Sequence, residues 1–240
     1  MIFSEKFNRF FEDPSQYRGP CGDYGVLYLL RRDIDRCLNI ECGRRETVLR
    51  ELRKNRNIPS EIDKPIALFP AATTILTGID LLAKHYEGTD VGHVGRRFKI
   101  FIERYFDLDN NNPRGACDQE IIYQFRNALL HSYGLYSKKY SKTRNKRTIY
   151  IFKAMAENGP LIEYTGKLSH PIGLTEVRKK NPELILYDGY LYSIDLYKLY
   201  VRFEDAIDHY REDLLANTTL QYKFDYMYNF YGSIEIKNSQ

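Results

Sequence analysis

Tryptophan is absent from the 240 residues, and cysteine is scarce: Cys21, Cys37, Cys42 and Cys117. None of these forms a C-x-x-C pair, and Cys37 and Cys42 have no second pair to complete a zinc knuckle. They read as idle thiols of a cytosolic protein. Long apolar runs are also missing. No stretch approaches the roughly 18 apolar residues of a membrane span, and Met1 to Pro20 lacks the apolar core of a signal peptide. A soluble, cytoplasmic protein with no membrane partner is therefore expected. Excess charge is absent too. The formal net charge is only +4, so whole-chain charge does not predict nucleic-acid binding, and local clustering must carry that argument. Gly92-x-x-Gly95 is followed by no Lys-Ser/Thr pair, so it is not a phosphate loop. His85, His93, His170 and His209 lack ligand-like spacing, so no metal and no cofactor is expected.

The chain is 43% hydrophobic and 28% charged, enough apolar content to bury a core. Tyrosine (21) outnumbers phenylalanine (13), so the main aromatic has a flat apolar body and a polar tip. Helical periodicity marks Tyr24 to Ile40, a basic segment Arg45 to Asn55, and the long apolar stretches Ile66 to Tyr86 and Gly92 to Phe106. It returns at Asp118 to Tyr133 and Asp195 to Leu215. Asp109 to Gly115 is a loop. The β-branched and aromatic run Thr148 to Phe152 reads as a strand. Leu184 to Ile194 reads as two strands about the turn dipeptide Asp188-Gly189. Tyr222 to Ile236 is ambiguous, with a strand expected at Ser233 to Ile236. The fold class is mainly α: an up-and-down helical bundle with a small β-strand/hairpin insertion, about 146–194, before the last long helix. Nothing marks a domain boundary. Residues 1–240 read as one domain with an N-terminal helical extension over about 1–60.

Chemistry concentrates in Ile121 to Tyr133. At about 100° per residue, Ile122, Phe125, Leu129 and Tyr133 share an apolar face. His131 falls roughly 140° from the centre of that face, with Glu120, Gln124 and Asn127 as its neighbours. This predicts that His131 and Asn127 are partly exposed in a cleft with Arg126 close by. An arginine can hold a phosphate in a bidentate fork. A histidine can exchange protons near neutral pH. RNA brings its own nucleophile, the 2′-hydroxyl, so such a set needs no metal if a base takes that proton and the phosphate charge is neutralised.

Arg126-Asn127-Ala128-Leu129-Leu130-His131 resembles the R-x4-6-H signature of HEPN domains. With Ser132-Tyr133 it is similar to the R-x4-H-x-Y form of HEPN toxins paired with nucleotidyltransferase antitoxins. The resemblance implies a HEPN-like helical bundle and a metal-independent endoribonuclease, a toxin or phage-defence effector that leaves 2′,3′-cyclic phosphate ends. It assigns Arg126 to the scissile phosphate, His131 to acid or base, Asn127 to orienting one of them, and Tyr133 to the position of the toxin form's modified tyrosine. It also implies RNA, a second copy in a homodimer and a nucleotidyltransferase-type antitoxin as partners. The length, the N-terminal helices and the β segment depart from the compact toxins.

Tyr136 to Arg147 follows at once, with six basic residues and no acid: Lys138, Lys139, Lys142, Arg144, Lys146 and Arg147. It reads either as a solvated basic loop or as a track for RNA phosphates, with Tyr136 and Tyr140 available to stack on bases. Three readings stay open: an endoribonuclease, a non-catalytic HEPN-like RNA- or protein-binding module, and a helical protein whose motif only stabilises its bundle.

Overall fold

In a computed structural model the described residues are 3–12, 23–41, 43–54, 65, 67–108, 117–132, 135–141, 146–168 and 187–235. Among them the chain is mainly helical, with eight helices and six strands. No helix there is long and apolar enough to cross a membrane. Contacts group the chain into two compact units, Met1–Asp107 with Tyr200–Gln240, and Leu108–Leu199.

The first unit holds α1 (Phe3–Phe11), β1 (Asp23–Gly25), α2 (Val26–Cys37), α3 (Arg45–Arg53), α4 (Leu68–Glu87) and α5 (Val94–Tyr105). It also holds most of α7 (Leu196–Ala216), then α8 (Thr218–Tyr231) and β6 (Ser233–Glu235). The apolar helix α4 is the hub, packing against α2, α5 and α8. It buries Ala71, Ala72, Ile75, Leu76, Ile79, Leu82 and Ala83 and stops at Gly88, whose φ of 73° suits a residue without a Cβ. The short strands β1 and β6 pair antiparallel.

An aromatic cluster fills this core. Phe10 sits edge-on to Phe224 at 5.3 Å, and Phe11 stacks on Phe224 at 5.9 Å. His85 is buried among them, 4.7 Å from the Phe10 ring and 5.3 Å from Phe224. Its Nδ1 lies 2.9 Å from the Leu81 carbonyl oxygen. A carbonyl only accepts, so Nδ1 carries the proton and Nε2 is a bare lone pair. Nε2 has no hydrogen-bond partner and is buried. Burial makes the charged ring costly and lowers its pKa from 6.5 to about 4.

Ion pairs set the register of the surrounding helices. Arg31 on α2 donates through Nε and Nη2 to both carboxylate oxygens of buried Glu204 on α7. Burial alone would lower the Arg31 pKa, but the charge and hydrogen bonds of Glu204 raise it. Asp35 accepts from Arg45 Nε at 2.9 Å and from the Tyr200 hydroxyl at 2.8 Å. Burial raises the Asp35 carboxyl, and Arg45 opposes that shift.

The second unit holds α6 (Asp118–Ser132), β2 (Tyr136–Ser141), β3 (Lys146–Met155), β4 (Ile162–Leu168), β5 (Tyr187–Asp195) and the first residues of α7. The sheet order is β2-β3-β5-β4. The β3/β5 pair is parallel, and the outer pairs are antiparallel. Helix α6 packs on β2 and β3, with Phe125 and Phe152 rings 5.3 Å apart. Tyr150, Phe152 and Tyr192 are ring neighbours across the sheet. Asp195 ends β5 and caps α7: it accepts from Lys198 N at 3.0 Å and holds the β3–β4 turn through Glu157 N at 2.9 Å and Gly159 N at 3.1 Å.

Several sequence expectations are corrected. The hairpin at Asp188-Gly189 does not form. Both residues lie inside the single strand β5, paired with Thr148 and Ile149 of β3, and Gly189 also pairs with Leu168 of β4. A strand held by ladders on both sides overrides a local turn preference. The β segment begins at Tyr136 rather than about 146 and ends at Asp195. The ambiguous C-terminal stretch is mostly helix α8, and the expected strand there is β6.

His85→Phe keeps the ring and removes the titrating nitrogen. A depressed folded-state pKa gives stability that is present above pH 6.5 and lost as pH falls toward 4. Wild type should lose on the order of 3 kcal/mol over that window beyond what H85F loses. Urea unfolding at stepped pH measures the difference, and parallel pH profiles would show that His85 is not the titrating group.

Candidate functional site

Helix α6 starts with Asp118 and Glu120 in its first turn, where the partial positive charge of the N-terminus favours acids. Ile121, Ile122, Phe125, Ala128 and Leu129 are buried, each large side chain worth about 1.5–3 kcal/mol of apolar burial. The expected apolar stripe of Ile122, Phe125 and Leu129 is therefore the packed face.

The polar stripe is divided. Glu120 and Gln124, the expected neighbours of His131 on this helix, are buried and meet β2. Glu120 Oε1 accepts from Lys139 Nζ at 2.8 Å and from Gln124 Nε2 at 2.8 Å. Gln124 Oε1 accepts from the Ser137 hydroxyl at 2.6 Å. Ser137 and Lys139 alternate on one face of β2, and that face is turned to α6. The Tyr150 hydroxyl, one strand over, is raised above its usual pKa, first by burial and then by the charge of Glu120, so it stays protonated.

The remaining arc carries Gln119, Tyr123, Arg126, Asn127 and Leu130, all half-buried. Arg126 Nη1 donates to Asn127 Oδ1 at 3.2 Å, and the guanidinium lies 6.0 Å from the Tyr123 ring centre. The structure thus brings Arg126 and Asn127 together. The backbone of His131 continues α6 one turn beyond Asn127. The side chain of His131 and all of Tyr133 lie outside the described residues.

The described residues of the basic segment lie in the antiparallel strands β2 and β3, with Lys139 opposite Thr148 and Lys138 opposite Ile149. Its alternation separates the cations. Lys139 is committed to Glu120. Lys138 is exposed on the other face, 5.2 Å from the ring centre of exposed Tyr136. Lys146 and Arg147 are placed in β3 by backbone alone, and Lys142 and Arg144 lie outside the described residues. The sequence reading missed the chain Lys139–Glu120–Gln124–Ser137. The signal was the alternation of Tyr136 to Ser141, which a basic composition masked.

No protein-family model, no curated protein and no solved structure matches the chain.

Lys139→Ala leaves the Glu120 carboxylate buried without its cation. A loss of roughly 1–2 kcal/mol is expected, the figure reduced because Lys139 itself is partly exposed. Lys138→Ala should stay within about 0.5 kcal/mol of wild type. Equal effects of the two in urea unfolding would contradict this division of the strand into a structural and an open face.

Proposed function

We propose that this chain is a metal-independent endoribonuclease of HEPN type, centred on Arg126, Asn127 and His131. The observation that carries the reading is local. Arg126 and Asn127 are both half-exposed and hydrogen-bonded to each other at 3.2 Å, on the same unbroken helix that carries His131. A half-exposed guanidinium beside an amide has the forked geometry that holds a phosphate. In the proposed step the 2′-hydroxyl oxygen attacks phosphorus and the phosphorus–O5′ bond breaks. A 2′,3′-cyclic phosphate forms, and a proton is delivered to the leaving 5′-oxygen. His131 moves a proton, Arg126 neutralises charge on the phosphate oxygens, and Tyr133 belongs to the set through the motif alone. The resemblance further implies a homodimer and a nucleotidyltransferase antitoxin. Lys138, with Lys142, Arg144, Lys146 and Arg147, supplies the phosphate contacts, and Lys139 supports them by pinning β2.

RNA should be cut in EDTA and matched DNA spared, because DNA lacks the nucleophile. Products should carry 2′,3′-cyclic phosphate and 5′-hydroxyl ends. His131→Ala should lower the rate by about 10² to 10⁴, and Arg126→Ala should abolish cleavage while circular dichroism shows an intact fold. If wild type binds RNA without cutting it and His131→Ala binds equally well, the chain is a binding module and the catalytic reading fails.

A further inference from the structure

The mixed sheet of the second unit has two faces, and α6 lies on one of them. Phe152 of β3 meets Phe125 of α6, and Ser137 of β2 meets Gln124. Side chains alternate along a strand, so Ile151 and Lys153 of β3 and Tyr136 and Lys138 of β2 are on the opposite face. The register sets Tyr136 directly across from Ile151. Lys138 is two residues further along β2, about 7 Å away. Lys153 is the diagonal neighbour on β3, about 7–8 Å away on the other side of Tyr136. The Tyr136 ring therefore stands between two lysines.

All three side chains are exposed, whereas Tyr150 and Tyr192 of the same sheet are buried. Lys138 Nζ lies 5.2 Å from the Tyr136 ring centre. Among the described residues neither lysine meets a carboxylate. Two acids share this face. Asp195, at the end of β5, is buried, and its oxygens accept the backbone N–H groups of Glu157, Gly159 and Lys198. Glu163 of β4 is exposed. It pairs with Ser193, which pairs with Lys153, so it is two strands, about 10 Å, from that lysine. The β2–β3 side of the face is thus cationic and aromatic, and the β4 side is where that character ends.

We propose that this face is a nucleotide-binding subsite, in which an unpaired RNA base stacks on Tyr136 while Lys138 and Lys153 hold phosphates on either side of it. Every base has a π-face, so an exposed ring between cations takes a single strand with little regard to sequence. A duplex keeps its base faces inside its own stack and cannot offer one to the ring. Charge alone would favour the duplex, because it carries twice as many phosphates per length; the ring reverses that order. The proposal rests on the ribonuclease reading for its ligand and deepens it in two ways. Lys153 lies outside the basic segment, and the sheet face away from α6 becomes part of the binding surface. Strand β2 begins four residues after α6 ends, a span of at most about 14 Å of chain. A strand held at Tyr136 therefore lies near the end of the helix that carries His131.

Fluorescence anisotropy of the full chain with a labelled 2′-O-methyl oligoribonucleotide reads binding without cleavage, because that probe has no free 2′-hydroxyl. The single strand should bind more tightly than its duplex with the complement. Tyr136→Leu should weaken single-strand binding about tenfold and leave the salt slope unchanged, whereas Tyr136→Phe keeps the ring and should bind as wild type does. Lys153→Gln should lower the salt slope by about 0.7, the share of one phosphate contact on a single strand. A duplex that binds as tightly as the single strand overturns the proposal. So does a Tyr136→Leu chain that loses nothing, a Tyr136→Phe chain that loses as much as Tyr136→Leu, or an unchanged slope in Lys153→Gln. The duplex comparison and the exposed Lys153 decide the matter even where a Tyr136 variant fails to fold. A chain that binds as expected but cuts no RNA sinks the ribonuclease reading alone. One that cuts RNA without these preferences sinks the subsite alone.

Discussion

A carboxylate removed from water must be met by a cation or by hydrogen-bond donors, or the fold gives up several kcal/mol. Glu120 imposes that condition on the second unit. It is met by Lys139 from β2 and Gln124 from its own helix, and Gln124 is in turn engaged by Ser137. These contacts fix which face of β2 is turned to α6. The antiparallel ladder then fixes β3, and the parallel ladder fixes β5. With apolar residues packed on one side of α6 and the Glu120–Gln124 pair covered on another, the described half-exposed arc is reduced to Gln119, Tyr123, Arg126, Asn127 and Leu130. The location of Arg126 and Asn127 is thus a consequence of where the buried carboxylate had to go.

The first unit uses the same rule for a different end. Its buried pairs, Arg31 with Glu204 and Asp35 with Arg45, roughly break even in stability against apolar residues of similar size. What they contribute is alignment. A forked guanidinium accepts a carboxylate in few orientations, so α2 and α3 are held to one register against α7. Pairing also removes charge from the surface. Lys6, Arg53, Arg104, Arg202 and Arg211 each meet a carboxylate. A net charge of +4 on such a chain produces little long-range field, and an anionic partner would be drawn by local groups.

Much of this fold was legible in the sequence because long helices write their packing face every three or four residues. The five longest apolar-periodic segments all became helices, with ends within a few residues of the expected ones. The failures share one cause. Asp188-Gly189 has the local preference of a turn, yet it lies in β5 between two partners that are distant in sequence. Strand β4, Ile162-Glu163-Tyr164-Thr165-Gly166-Lys167-Leu168, has polar residues at alternate positions and a register shift between Tyr164 and Gly166, so its pattern is broken where it would be read. Helix α1 has nine residues and owes its stability to Phe3, Phe10 and Phe11 meeting Phe224 and Tyr210, contacts no local window contains. Pairing partners remote in the chain leave no local signature.

The candidate site was legible in one dimension only. Helical spacing puts Arg126, Asn127 and His131 on one element, and no tertiary information is needed for that. It could not show that the polar stripe beginning at Glu120 runs under a strand, because Glu120 and Gln124 look solvated until Ser137 and Lys139 are known to lie opposite them. The same blindness inflated the basic segment. Six cations in twelve residues suggest six phosphate contacts, but a strand sends neighbours to opposite faces. Lys138 and Lys139 are adjacent in sequence and have separate fates, one exposed and one neutralised. A cation whose charge is cancelled by a buried carboxylate releases no counterion when RNA arrives. With Lys139 withdrawn, at most five residues of the segment remain, and each phosphate neutralised on a single strand contributes about 0.7 to the salt slope. A slope much steeper than about −3.5 would then require cations from outside the segment, such as Arg126 on the adjoining helix.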